Sequence, residues 1–241
     1  MSDAQILPLG PDGVLVRFAD ALSEPANRSA LAFRAEVDQA ALAGIVETAT
    51  SLTSVFLRFD PAHLKRAELE DHLRQVLDGR DWAEADLPDN RMRWHIPAAF
   101  EGQEAPDIEA VAHQIGRDPD AAISEITSQP LRVLALGFAP GQPYLGFLPE
   151  HWNIPRRTEV TPEVPRGAVV VAVRQAIPFA NAAPTGWWQI GRTAFRCYDP
   201  AGDPALPLKA GDEVQFQAVP GSSLAALAAK PFGGAERETL S

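Results

Sequence analysis

Hydrophobic and polar positions alternate first over Val14, Val16 and Phe18, with Leu15 and Arg17 between them, and this predicts a strand. Ser23-Glu24-Pro25 then opens a helix, with serine as cap and proline in the first turn. Leu31, Ala35, Val37 and Leu42 give that helix an apolar side, and Gly44 is expected to stop it. Ile45 to Ala49 and Ser54 to Phe59 are β-rich runs separated by small polar residues, which predicts a hairpin. Asp60-Pro61 is read as the start of a second helix. Leu69, Leu73, Val76 and Leu77 form its stripe at helical spacing, and Gly79 ends it. The order β-α-β-β-α lacks one strand of a ferredoxin-like sandwich. Met92 to Ile96 supplies that strand or begins the next domain.

The acidic stretch from Asp81 to Asn90 reads as a linker. Beyond it, Asp107 to Gly116 and a segment capped by Asp118-Pro119 and running to about Thr127 read as short helices. After Pro130 the pattern turns to β, with strands over Leu131 to Leu136, Ala168 to Val173, Phe195 to Tyr198 and Val214 to Val219. Many of the 22 prolines crowd between Pro130 and Pro207. Proline fixes its own φ and donates nothing to a sheet, so short strands with rigid connections are expected. Short strands joined by Gly and Pro turns predict a barrel or sandwich. The fold class is thus an α+β domain over residues 1–90 followed by a β domain over 91–220. Residues 221–241 are expected to be a tail with a weak helix and a frayed end.

Charge changes the picture of partners. The formal net charge is −11, which repels phosphate backbones and anionic membranes, so neither nucleic acid nor membrane is an expected partner. The single cysteine, Cys197, rules out an internal disulfide and reads as an inert, buried small hydrophobe. No apolar run reaches spanning length, and the start lacks a secretory pattern, so a cytoplasmic location is expected. The five histidines are scattered, and no metal site is predicted.

The candidate chemistry lies in two segments. The first runs from Gly137 to Pro149 and reads GFAPGQPYLGFLP. Three glycines and three prolines in that run exclude a helix or a central strand and predict a stiff loop that lets a ligand approach its backbone. The second comprises Val164-Pro165-Arg166-Gly167-Ala168-Val169, then Gln175, then Pro184-Thr185-Gly186-Trp187-Trp188-Gln189-Ile190-Gly191-Arg192-Thr193.

Together these segments resemble the B-subunit family of bacterial ATP-dependent 5-oxoprolinase. That family is also known as allophanate hydrolase subunit 1 or KipI-like, within the carboxyltransferase subdomain C and D superfamily. The resemblance implies a cyclophilin-like β-barrel behind a ferredoxin-like α+β domain. It implies a non-autonomous hydrolase subunit that opens 5-oxoproline to glutamate, or acts on an allophanate-like relative, with ATP as cofactor in the complex. The implied partners are a companion larger subunit and a small-molecule substrate. Two other readings are a histidine-kinase inhibitor acting through a protein surface and a carboxyltransferase-type subunit for a urea-like substrate.

On this resemblance Gln175, Arg192 and Tyr144 are expected to carry the chemistry. Arg192 anchors the substrate carboxylate through a bidentate guanidinium, or else pairs structurally with an acid such as Asp199. Gln175 and Gln142 hydrogen-bond the lactam. Tyr144 and Trp187 wall the ring, although Trp187 and Trp188 fit a core or interface role as well. Phe138, Pro140, Gly141, Gln142, Pro143, Gly186 and Trp187 are the expected substrate- or nucleotide-binding positions. No GxxxxGK[ST] stretch is present, so any ATP site is not of the P-loop type.

The chain departs from its family in several places. Gln142 and Phe147 interrupt a loop that usually reads PGFPYLGG, and Thr185 stands for a glycine. A run resembling GNQTGIYP is replaced by Val173-Arg174-Gln175-Ala176-Ile177-Pro178-Phe179-Ala180, which keeps only Gln175. Val173 and Ile177, standing where glycines are usual, are expected to fill space and forbid positive φ there. A Pro-Arg pair expected ahead of Val164 is read as replaced by Pro162-Glu163.

Overall fold

The computed structural model describes residues 4–240. The chain forms two compact units, one ending at Asp89 and the other beginning at Asn90.

The first unit starts with strands β1 (Gln5–Leu9) and β2 (Gly13–Arg17), an antiparallel hairpin. Helix α1 (Glu24–Ala40) follows, and the Ser23 hydroxyl accepts from the Ala26 amide as the capping residue. The helix ends at Ala41 in the left-handed region, ahead of the Gly44 expected to stop it. Strands β3 (Ile45–Ser51) and β4 (Ser54–Phe59) form the expected hairpin. Helix α2 (Arg66–Leu77) begins later than Asp60-Pro61. The Asp60 carboxylate instead closes a turn, accepting from the Ala62 amide and pairing with His63, so it is spent before a helix can start.

The sheet order is β1-β2-β4-β3. Strand β1 therefore occupies the edge beside β2 that the ferredoxin-like reading reserved for a strand after α2. Its sequence carries no alternation, and its exposed edge position explains why none is needed. Phe33 sits edge-on to Phe18 at 5.5 Å and to Trp82 at 5.2 Å, contacts that contribute roughly 0.5–1.5 kcal/mol each beyond area burial. Trp82 buries within this core, so the acidic stretch is anchored at that point.

The second unit begins with β5 (Met92–Ala99), which leaves the first sheet to β1. Two short helices follow, α3 (Ile108–Gln114) and α4 (Pro119–Ser128), the latter capped by Asp118 accepting from the Ala121 amide. The strands are β6 (Leu131–Leu136), β7 (Pro143–Gly146), β8 (Thr161–Val164), β9 (Ala168–Ala172), β10 (Gln175–Pro178), β11 (Ala183–Thr185), β12 (Trp188–Thr193) and β13 (Glu213–Ala218). Helix α5 (Leu224–Ala228) and strand β14 (Glu236–Thr239) complete the chain.

Strands run in the order β12-β9-β10-β7-β6-β13-β5, and β5 pairs back onto β12, closing a seven-stranded cyclophilin-like barrel. All seven strands send residues into one apolar cluster, among them Trp94, Val133, Leu145, Val169, Val171, Ala176, Ile190 and Phe216, so that cluster is the barrel interior. Helices α3 and α4 add Val111, Ala112 and Ile126 to it. Alternate residues of β9, namely Ala168, Val170 and Ala172, belong to a second cluster with Val164, Ile177, Phe179 and Trp187, which lies on the outer face.

Three expectations are corrected here. The Pro-Gly run does contain a barrel strand, β7, placed between β6 and β10. Pro143 stands at its first position, where a missing N–H does least harm. Phe195 to Tyr198 is not a strand; Thr193 Oγ1 takes the Phe195 amide and turns the chain out of β12. The C-terminal segment ends in β14, paired with β5, rather than fraying. Phe232 stacks edge-on to Trp94 at 5.2 Å, and Arg93 bridges Glu213 on β13 and Glu238 on β14, which together dock the segment.

Candidate functional site

The outer face of β12-β9-β10-β7 collects most of the candidate residues. Register decides this. Arg192 lies opposite Ala168, Gln189 opposite Val170, and Gln175 opposite Ala172, so all three share the outward face of β9. Leu145 points inward opposite Ala176, which turns its neighbour Tyr144 outward, where it packs against the outer cluster. Trp187 belongs to that cluster too.

The face has two ends. At one, Arg192 pairs with Glu104 at 3.2 Å, not with Asp199, whose carboxylate takes Arg196 at 2.9 Å and the Ala201 amide. Those bonds, with the charges of Arg196 and Arg166, hold Asp199 below the usual carboxylate range. Thr193 Oγ1 donates to the Pro97 carbonyl and accepts from Phe195. Gly167 has φ +81, and a Cβ there would strike the Thr193 carbonyl. The Phe138–Pro143 segment reaches this same end. Gln142 is buried and accepts from the Ala180 amide, and Gly141 packs beneath the Cys197 carbonyl. Phe138 and Pro140 face solvent, Phe138 at 76% exposure. Burial pushes the Cys197 thiol up to about 12, which leaves it protonated and inert.

At the other end stands the β9–β10 turn. Val173 (φ 45) adopts the left-handed conformation that its bulk was expected to forbid, and Arg174 (φ 63) shares it. A strap compensates. The Val173 amide donates to Ile154, the Arg174 amide to Trp152, and the Arg174 guanidinium to Leu148. Glu125 supports the strap by accepting from Trp152 Nε1 at 2.9 Å and pairing with His151 at 2.8 Å. Partial burial raises the Glu125 pKa, but these partners and Arg117 outweigh it and the net shift is downward.

Next to this turn lies Gln175, 5% exposed, whose side-chain amide nitrogen is sealed from solvent and has no hydrogen-bond partner. A buried donor left unpaired costs about 1–3 kcal/mol, so the Gln175 amide is a polar group that the described fold leaves unsatisfied. Tyr144 and Ile177 lie on adjoining positions of the same face.

The strap continues as Pro155-Arg156-Arg157, which the sequence reading passed over. Trp188 Nε1 donates to Pro155, the Arg157 amide donates to Gly186, and Arg157 pairs with Asp107 at 2.8 Å. Arg156 lies 5.4 Å from the Trp187 ring centre, and Arg157 4.9 Å from that of Trp188. Pro155-Arg156 is thus a Pro-Arg pair ahead of Val164, upstream of Pro162-Glu163. Its signal was available in the sequence as two adjacent arginines, Arg156 and Arg157, after a proline.

The expected trio is therefore split. From Ala168 to Ala172 is about 13 Å along the strand, and two strand spacings add about 10 Å across it. Arg192 and Gln175 are thus roughly 16 Å apart at their backbones. Tyr144 and Gln175, on neighbouring strands, are roughly 8 Å apart. Within the Pro-Gly turn, the Gly137 and Gln142 amides donate to the Gln142 and Ala139 carbonyls. Among the described residues, no three His, Cys, Asp or Glu side chains gather to hold a metal ion. No helix of the described residues is long and apolar enough to cross a membrane.

A sequence model of the carboxyltransferase domain, subdomain C and D, matches residues 4–208. The 5-oxoprolinase B subunit of Bacillus subtilis (strain 168) is 28% identical over 226 residues, covering 88% of this chain and 91% of the relative. The protein of the same name from Escherichia coli O157:H7 is 37% identical over 138 residues, 57% of this chain and 63% of the relative. The solved Kluyveromyces lactis urea carboxylase superposes with a TM-score of 0.71 at 19% identity, over 98% of this chain and 24% of that one, a likeness of fold alone. With the model matching most of its length across both units, the chain belongs to the carboxyltransferase subdomain C and D family, as a divergent member.

Proposed function

We propose that the chain is the B-type subunit of a multi-component, ATP-dependent hydrolase that opens 5-oxoproline to glutamate, working with a larger companion subunit. The relatives named as 5-oxoprolinase B subunits support the assignment. The observation that carries it to a site is the unpaired, buried amide of Gln175 beside Tyr144.

A lactam is a resonance-stabilised amide, and water attacks it only when its carbonyl oxygen is polarised. The Gln175 N–H donates to that oxygen, where negative charge develops. Trp187, Ile177 and Phe179 exclude water from the ring, and Tyr144 closes the side formed by β7. ATP, bound in the assembled complex, supplies the driving force for ring opening.

The test is coexpression with the companion subunit and an assay for glutamate released from 5-oxoproline. Glutamate should appear only with ATP and both subunits present. Its absence from every combination, with a stable complex in hand, would end this reading.

A further inference from the structure

We propose that Arg156 is the residue of this site that receives a carboxylate, and that the site selects small cyclic amides bearing one over neutral lactams. The inference rests on the lactam reading above and deepens it. Arg192, the expected anchor, is occupied by Glu104 and lies at the opposite end of the face from Gln175. To meet one five-membered ring, both side chains would have to lie flat along the sheet. Arg156 meets the requirement that Arg192 does not.

Three observations place it. The Ile154 carbonyl binds the Val173 amide at 2.9 Å, so the strap carrying Arg156 starts at the turn that leads into Gln175. Trp188 holds Pro155 on one side of Arg156, and Gly186 holds Arg157 on the other. The guanidinium then sits against the ring of Trp187, which also covers the outer cluster beside Ala172, the partner of Gln175. Its neighbour Arg157 is neutralised by Asp107, whereas Arg156 makes no ion pair with any described residue. A guanidinium stacked on an indole keeps its in-plane donors free for a bidentate acceptor. The site thus combines one unpaired amide donor, an aromatic wall, and one cation without an ion pair, the three features that an α-carboxylated lactam needs.

Binding to the coexpressed complex is measured by calorimetry with 5-oxoproline, 2-pyrrolidinone (the ring without the carboxylate) and cyclopentanecarboxylate (the ring without the amide). Arg156→Gln should weaken 5-oxoproline and cyclopentanecarboxylate about tenfold or more and leave 2-pyrrolidinone unchanged. Arg156→Lys should recover part of the loss. Loss of 2-pyrrolidinone binding as well would show a structural role and overturn the proposal. So would equal 5-oxoproline binding by Arg156→Gln and the parent, or a loss on Arg192→Gln instead. If cyclopentanecarboxylate binds through Arg156 while neither lactam binds, the anchor stands and the lactam reading falls. If none of the three binds, both fall.

Discussion

The two ends of the outer β12-β9-β10-β7 face are built from similar residues and differ in how far their polar groups are satisfied. At the Arg192 end, Arg192, Thr193 and Gln142 all have protein partners, and Gly167 lets two backbones touch. At the Gln175 end, one buried amide is unpaired, one arginine is uncommitted, and two bulky residues hold left-handed backbone. The first end is consistent with architecture, and the second with unmet demand for a ligand. A motif residue is therefore best judged by whether the fold has already used its hydrogen bonds.

The sharpest way to break the contrast is at Gly167. Gly167→Ala puts a Cβ into the Thr193 carbonyl at positive φ, and should cost about 3 kcal/mol or more, read from the urea midpoint. A fall under about 1 kcal/mol would mean the Arg192 end is not rigid.

A paired replacement sharpens it next. Gln142→Leu removes the acceptor of the buried Ala180 amide and should destabilise by about 2 kcal/mol. Gln175→Leu removes a donor that has no partner, so stability should hold or rise slightly while turnover by the complex falls about a hundredfold. Equal destabilisation by the two would erase the distinction between the ends.

The strained turn gives a smaller effect. Val173→Asn relieves a β-branched residue in left-handed backbone and should raise stability by about 1 kcal/mol in thermal or chemical unfolding. No gain would show that the strap from Ile154 to Val173 has removed the cost.

The smallest effect is on pH dependence. The Glu125 pKa is depressed in the folded state, so its contribution is present above the ordinary value of 4.5 and is lost as pH falls through the folded value. Parent and Glu125→Gln should therefore differ in stability at neutral pH and converge on acidification below about 4.5. A difference that stays constant down to pH 3 would take Glu125 out of the strap.

Much of the first unit was legible because its elements obey local rules. Ser23 caps α1, the β3–β4 hairpin alternates, and the α2 stripe repeats at helical spacing. The errors there were at Asp60, whose carboxylate serves a turn and a helix cap equally well, and at β1, an edge strand with no buried side to pattern it. In the barrel, the motifs identified the right stretches of chain and missed their form. Pro143–Gly146 looked like loop because its composition opposes a strand, yet β6 and β10 enclose it as one.

By itself the sequence determined the fold class, the family and most of the residues that line the outer face, since motif identity and hydrophobic periodicity are properties of the chain read in order. Only tertiary structure decided which of those residues meet. Arg192 and Gln175 are separated by ladder register, Arg156 is brought beside Trp187 by a strap pinned at Val173, Trp188 and Gly186, and Val173 turns left-handed because that strap holds it. Each of these depends on hydrogen bonds between residues far apart in the chain, and no local propensity encodes such a bond.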